Sequence, residues 1–135
     1  MKHTKLADRV MELLLNGEDE VLSVLREQYK NANIISEEDE EVGFYINYQI
    51  NTTCVIPNNY NATFQIGDVD GTVDDIDGAV GFVLYIKNGY MIMLEGYTNV
   101  VDKWPETDLQ IDLKYDEKQR DYASLRKKWT KNNTN

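Results

Sequence analysis

The 135-residue sequence has few of the residues on which most catalytic and metal sites depend, since it contains one cysteine and one histidine. A single cysteine, Cys54, excludes an internal disulfide and favours a reducing compartment. The histidine, His3, is near a terminus that we expect to be mobile, so no Ser-His or Cys-His pair is predicted. One Cys and one His also cannot build a zinc site. The sequence therefore predicts no enzyme, no bound metal and no cofactor.

Long hydrophobic runs and export signals are also missing. The longest uncharged apolar run, 78–86, is far shorter than a membrane span. Residues 1–5 lead directly into an amphipathic pattern without a small-residue cleavage site. We therefore expect a cytoplasmic protein that does not bind membranes. The length suits one domain over 1–135, with residues 130–135 frayed.

Positive charge is scarce and unevenly placed. The net charge is −10, with 24 Asp and Glu against 14 Lys and Arg. Residues 116–131 hold six bases and three acids, whereas residues 1–115 hold eight bases and 21 acids. The acidic main part would repel phosphate backbones, so nucleic-acid binding is not expected. This charge favours a cationic partner, or serves solubility alone.

The hydrophobic pattern predicts an α+β fold. Apolar residues recur at helical spacing in two segments of the first 32 residues, separated by Asn16-Gly17. Alternating patterns typical of strands follow from residue 33 to Tyr115. Asp116 and Gln119 resemble a capping box that opens a last helix. We predict an N-terminal helical pair, an antiparallel sheet of five or six strands, and a C-terminal helix.

The central feature is a hairpin over 81–97 that turns at Asn88-Gly89. This dipeptide suits a type I′ turn, which predicts that Lys87 pairs with Tyr90 and Phe82 with Glu95. Both faces of the hairpin carry apolar residues, so we place it in the middle of the sheet with a layer on each side. Glu95 would then interrupt an apolar face, either as a pocket carboxylate or at a margin that reaches water.

Two acidic segments, 37–41 and 68–77, each precede a strand that begins with a Gly-Phe pair. If both lie at one end of the sheet, they form a negative patch suited to a basic surface. Aromatic anchors would add affinity, with Tyr60, Tyr97 and Trp104 as candidates. Solvated loops and core aromatics are the alternatives. The predicted partner-binding residues are Glu37, Glu38, Asp39, Glu40, Asp68, Asp70, Asp74, Asp75, Tyr97 and Trp104.

The segment Asp68-Val-Asp-Gly-Thr resembles the nucleophile loop of haloacid-dehalogenase-type phosphatases, but the parallel strands that this chemistry needs are not predicted. Its spacing also fails as an EF-hand, because Val73 and Ala79 replace the required Gly and Glu. A weak divalent-cation site at 68–77, or a small-ligand site near Glu95, stays an alternative. An enzyme using carboxylates alone would need a second acid facing Glu95 across a pocket.

Two segments, 14–29 and 81–97, resemble small bacterial α+β proteins of the toxin-immunity type. The resemblance covers about a third of the chain and involves mostly structural residues. It implies an intracellular, acidic protein-binding module that neutralises a cognate toxin by covering a basic surface. The expected partner is a cationic protein.

Overall fold

A computed structural model describes residues 2–50, 62–74, 76–98, 103–106, 108–115 and 127. It begins with two helices, α1 (Thr4–Leu14) and α2 (Glu20–Lys30). The turn between them contains Gly17 at a φ of 131°, a conformation that favours glycine. Asp19 caps α2 by accepting a hydrogen bond from the amide of Val21. These observations confirm the predicted helical pair.

Six strands follow and form one antiparallel sheet in the order β1-β2-β5-β4-β3-β6. The strands are β1 (Ala32–Glu40), β2 (Gly43–Ile50), β3 (Phe64–Thr72), β4 (Val80–Lys87), β5 (Tyr90–Thr98) and β6 (Asp112–Tyr115). A 3-10 turn, Asp108–Gln110, precedes β6. The hairpin β4–β5 occupies the centre of the sheet, as predicted.

Both helices pack on the same side of the sheet. Leu6, Val10 and Leu14 of α1 are fully buried, as are Val21, Leu22 and Leu25 of α2. They meet a layer of buried strand residues that includes Phe44, Phe82 and Leu84. Gln28 fixes α2 to the central hairpin, because its side chain donates to the Gly89 carbonyl and accepts from the Met91 amide. This side of the sheet therefore holds the core.

The predicted register of the hairpin is wrong beyond its first two pairs, since Ile86 still pairs with Met91. Lys87 pairs with Tyr90 as expected, but a bulge follows, so Val83 rather than Phe82 pairs with Glu95. A one-residue shift moves every later side chain to the other face. Leu94 therefore enters the core and is fully buried, whereas Glu95 lies on the face away from the helices. Among the described residues, no helix covers that second face.

Parts of both acidic segments form strands rather than loops. Residues 37–40 end β1, and residues 68–72 end β3. Because β3 is antiparallel to both of its neighbours, the parallel framework of the phosphatase loop is not present. The predicted C-terminal helix over 116–129 lies outside the described residues, apart from Lys127. Cys54, Tyr60, Asp75 and residues 130–135 also lie outside them.

Candidate functional site

The candidate site is the sheet face opposite the helices, called here the open face. Residues that pair directly across neighbouring strands point to the same side of a sheet. The register therefore assembles three rows across this face. The first row is Glu40, Gly43, Tyr97, Gly81, Asp70 and Lys114; the second is Glu38, Tyr45, Glu95 and Val83; the third is Ser36, Asn47, Met93, Tyr85 and Gln65. Apart from the two glycines, every one of these residues is half-buried or exposed.

Glu95 lies in the middle of the open face, between Tyr45 on β2 and Val83 on β4. The Tyr85 hydroxyl donates a hydrogen bond of 2.7 Å to its carboxylate. This bond, helped by partial burial, raises the pKa of Tyr85 to about 12. Hydrogen bonding to the same carboxylate also raises the pKa of Tyr45. Glu95 is therefore a half-buried carboxylate held between two tyrosines.

Tyr97 lies beside this centre and is 43% exposed. Its ring lies across Gly81, since a Cβ at Gly81 would come within 2.4 Å of the ring. The absence of a side chain at Gly81 thus allows the tyrosine to lie flat on the sheet. Tyr97 is the predicted anchor that the structure places on the open face.

The predicted acidic residues flank this tyrosine cluster on both sides. Glu38 and Glu40 of β1 lie at one edge of the sheet. Asp70 of β3 lies on the other side of the tyrosine cluster, four strands away from β1. At the usual strand spacing this separation is about 19 Å. Asp68 and Asp74 are exposed near the same end of β3. The two acidic segments therefore reach the same end of the sheet, although β5 separates β2 from β4.

Glu37 and Asp39 do not belong to this face. Strand alternation points them to the helix side, where both carboxylate oxygens of Glu37 accept backbone amides, those of Lys2 at 3.0 Å and His3 at 2.9 Å. Asp39 lies 2.9 Å from Nε2 of His3. These carboxylates therefore hold the chain's own N-terminal segment, on the side of the sheet away from Glu38 and Glu40.

His3 is buried rather than mobile, with 2% of its surface exposed. Its Nδ1 lies 2.5 Å from Asp108 on the 3-10 turn, while its Nε2 meets Asp39. A doubly protonated imidazole can donate to both carboxylates, whereas the neutral ring can donate to only one. The ring also stacks on Phe44 at 4.4 Å. His3 thereby joins the start of α1, β1 and the 3-10 turn.

Trp104 is half-buried and packs against the same group. Its ring meets those of Phe44 at 5.0 Å and His3 at 6.2 Å, both edge to face. This packing of Trp104 against the core resembles the alternative of a core aromatic more than that of an exposed anchor.

A cleft of about 840 Å³ lies on the helices and not beside Glu95. Several of its polar groups are paired within the chain. The Tyr29 hydroxyl donates to Asp8, and Arg26 donates to the carbonyls of Leu15 and Gly17. Burial and the bond to Asp8 raise the pKa of Tyr29. On the open face, Glu38 shares the row of Glu95, but Tyr45 stands between the two carboxylates.

Sequence reasoning missed Tyr45 and Tyr85 as members of the site. Both lie in regular strands, and the alternation of β2 did indicate that Tyr45 faces away from Phe44 and Ile46. The position of Tyr85 beside Glu95 depends on the bulge in β5, which carries no clear local signal.

Comparisons with protein-family models, with curated proteins and with solved structures find no match to this chain. Within the parts of the chain that the structure describes, neither helix has the length and apolar character needed to cross a membrane.

Proposed function

We propose that this protein is an acidic protein-binding module whose open face engages a cationic protein, as an immunity protein does when it neutralises a cognate bacterial toxin. We further propose that it acts in the cytoplasm of the cell that makes it. The observation that supports this proposal is the open face itself. A sheet whose second face carries tyrosines and carboxylates, with no described helix above it, is suited to recognition.

Charge supports a basic partner. Within the three rows of the open face, Lys114 is the one cation, against four carboxylates. Complementary charge speeds encounter and suppresses wrong partners, while exposed ion pairs add only about 0–1 kcal/mol each. Affinity must therefore also come from aromatic side chains, which are enriched among the residues that dominate binding energy. Tyr45, Tyr85 and Tyr97 provide these side chains.

The test is binding to the purified product of the adjacent gene, measured by calorimetry at low and high salt. A variant with E38Q, E40Q and D70N removes three charges from the open face. Its matched control, E12Q, E18Q and E27Q, removes three exposed charges from the helix side. We expect the first variant to bind much more weakly, the control to bind nearly as wild type, and salt to weaken binding. Equal effects of the two variants would contradict the proposed surface.

A second candidate function is binding of a divalent cation, at a place that the sequence did not indicate. His3, Glu37 and Asp39 each offer one ligand atom, and these atoms lie within 4.8 Å of one another. In the part of the chain that the structure describes, the aspartates near residue 70 form no such group. Imidazole with two carboxylates suits Zn²⁺ or Mn²⁺.

Calorimetry with each ion on wild type and on the D39N variant tests this candidate. A heat of binding with one-to-one stoichiometry that is seen for wild type and E38Q but not for D39N would support the cation site. The hydrogen bonds that already occupy these carboxylates are the reason that we rank it second.

A further inference from the structure

Glu95 has an unusual environment for a carboxylate on the surface of a sheet. It is half-buried in the second row, and its nearest polar partner is a tyrosine hydroxyl rather than a cation. Among the described residues, the four ion pairs all involve other acids. A carboxylate placed in this way is partly desolvated yet not neutralised within the described chain.

The carboxylate also has acceptor capacity to spare. Two carboxylate oxygens provide about four acceptor positions. The hydroxyl of Tyr85 takes one of them, and Tyr45 approaches from the opposite strand. The two tyrosines hold the carboxylate on the open face, and its remaining acceptor positions can serve a ligand. A ligand that donates two parallel hydrogen bonds would find this arrangement already formed.

The surroundings favour a guanidinium over an ammonium group. Arginine presents a planar fork of donors that binds a carboxylate through two bonds and stacks on aromatic rings. Tyr45, Tyr85 and Tyr97 provide such rings, and Val83 and Met93 provide apolar surface for the methylene groups of the side chain. Lysine would act only as a point charge here and would use neither the fork nor the ring faces in the same way.

We propose that Glu95, flanked by Tyr45 and Tyr85, is the docking point for an arginine side chain of the cationic partner. This inference rests on the proposed function and adds to it the identity of the residue that the open face recognises. Tyr45 and Tyr85 are positioning residues in this scheme, and Tyr97 closes one side of the site. The chain's own basic segment, 116–131, is the competing occupant that the experiment must separate.

The experiment measures binding of octa-arginine and octa-lysine peptides to the full chain by fluorescence anisotropy. For wild type we expect octa-arginine to bind about tenfold more tightly than octa-lysine, since bidentate pairing and stacking are available only to arginine. The E95Q variant should lose this preference and bind both peptides alike. E12Q, which removes the same charge from α1, should keep the preference. Y85F should reduce it, because the carboxylate loses a hydrogen bond that positions it.

The outcomes separate the two proposals. Equal, salt-sensitive binding of both peptides by wild type, E95Q and E12Q would overturn the arginine site and leave the acidic binding surface in place. Binding of neither peptide would overturn the proposed function as well. An arginine preference that emerges only after Arg126, Lys127 and Lys128 are changed to Gln would assign the site to the chain's own segment. Circular dichroism of each variant checks folding, and Y85F provides a second test if E95Q unfolds.

Discussion

Replacement of His3 by alanine should destabilise this protein far more than a substitution at the third residue usually does. The imidazole is 2% exposed, stacks on Phe44 and bridges two carboxylates on different parts of the chain. H3A would remove the shared partner of Asp39 and Asp108. It would also remove a ring from the core, at the point where the start of α1 meets the end of β1.

Asp108 and Asp39 should contribute very differently to the loss of stability in H3A. The Asp108 side chain is 11% exposed and meets His3 at 2.5 Å, so its pairing is buried. Removing one partner of a buried pair costs about 3–5 kcal/mol, because a charge remains without compensation. The Asp39 side chain is 49% exposed, and solvent should limit its share to below about 1 kcal/mol. We therefore expect H3A to lower the free energy of unfolding by about 3–5 kcal/mol.

Urea unfolding followed by circular dichroism measures this loss. With a typical dependence of the unfolding free energy on urea concentration, the expected loss of stability lowers the urea midpoint by about 2 M. D39N serves as the control and should cost less than about 1 kcal/mol. In a double-mutant cycle, H3A and D108N together should cost clearly less than the sum of the two single changes. A wild-type midpoint for H3A would refute the buried placement of His3 and restore the mobile terminus that the sequence predicts.

Two further predictions concern the open face. Tyr85 should titrate near pH 12 in an absorbance measurement at 295 nm, against an ordinary value of 10.0, and the pKa should fall in E95Q. Since the raised pKa favours the neutral hydroxyl in the folded state, this contribution to stability is present below about pH 10 and is lost as the pH rises through about 12. The substitutions G43A and G81A should differ, because a Cβ at Gly43 meets a neighbouring backbone oxygen at 2.1 Å, whereas the three atoms nearest to one at Gly81 all belong to the Tyr97 side chain. G43A should therefore lower the melting temperature strongly and G81A weakly, and similar shifts for both would contradict this packing.

Elements with strong local patterns could be predicted from the sequence. The two helices follow from apolar spacing interrupted by Asn16-Gly17, and the turn at Asn88-Gly89 follows from the positive φ that both residues adopt. The register beyond the first two pairs could not be predicted, because the bulge in β5 has no comparable local signal. This single shift moved Glu95 from a supposed apolar face to the open face.

The buried position of His3 could not be predicted from local sequence patterns, for a different reason. Its partners are 36 and 105 residues away in sequence, so only the assembled sheet and the 3-10 turn bring them together. Composition made His3 look unimportant because one histidine cannot form a catalytic pair. The structure shows that the same residue can matter to the fold through burial between carboxylates.

The run of acids in β1 is divided between the two faces of the sheet. A period of two divides neighbouring residues between the two faces of a strand. Glu37 and Asp39 therefore meet the amides of residues 2 and 3 and the imidazole of His3, while Glu38 and Glu40 meet solvent on the open face. The first pair secures the N-terminal segment, and the second pair supplies charge to the proposed binding surface. Neutralising Glu37 or Asp39 should therefore affect stability more than binding. Neutralising Glu38 or Glu40 should affect binding more than stability.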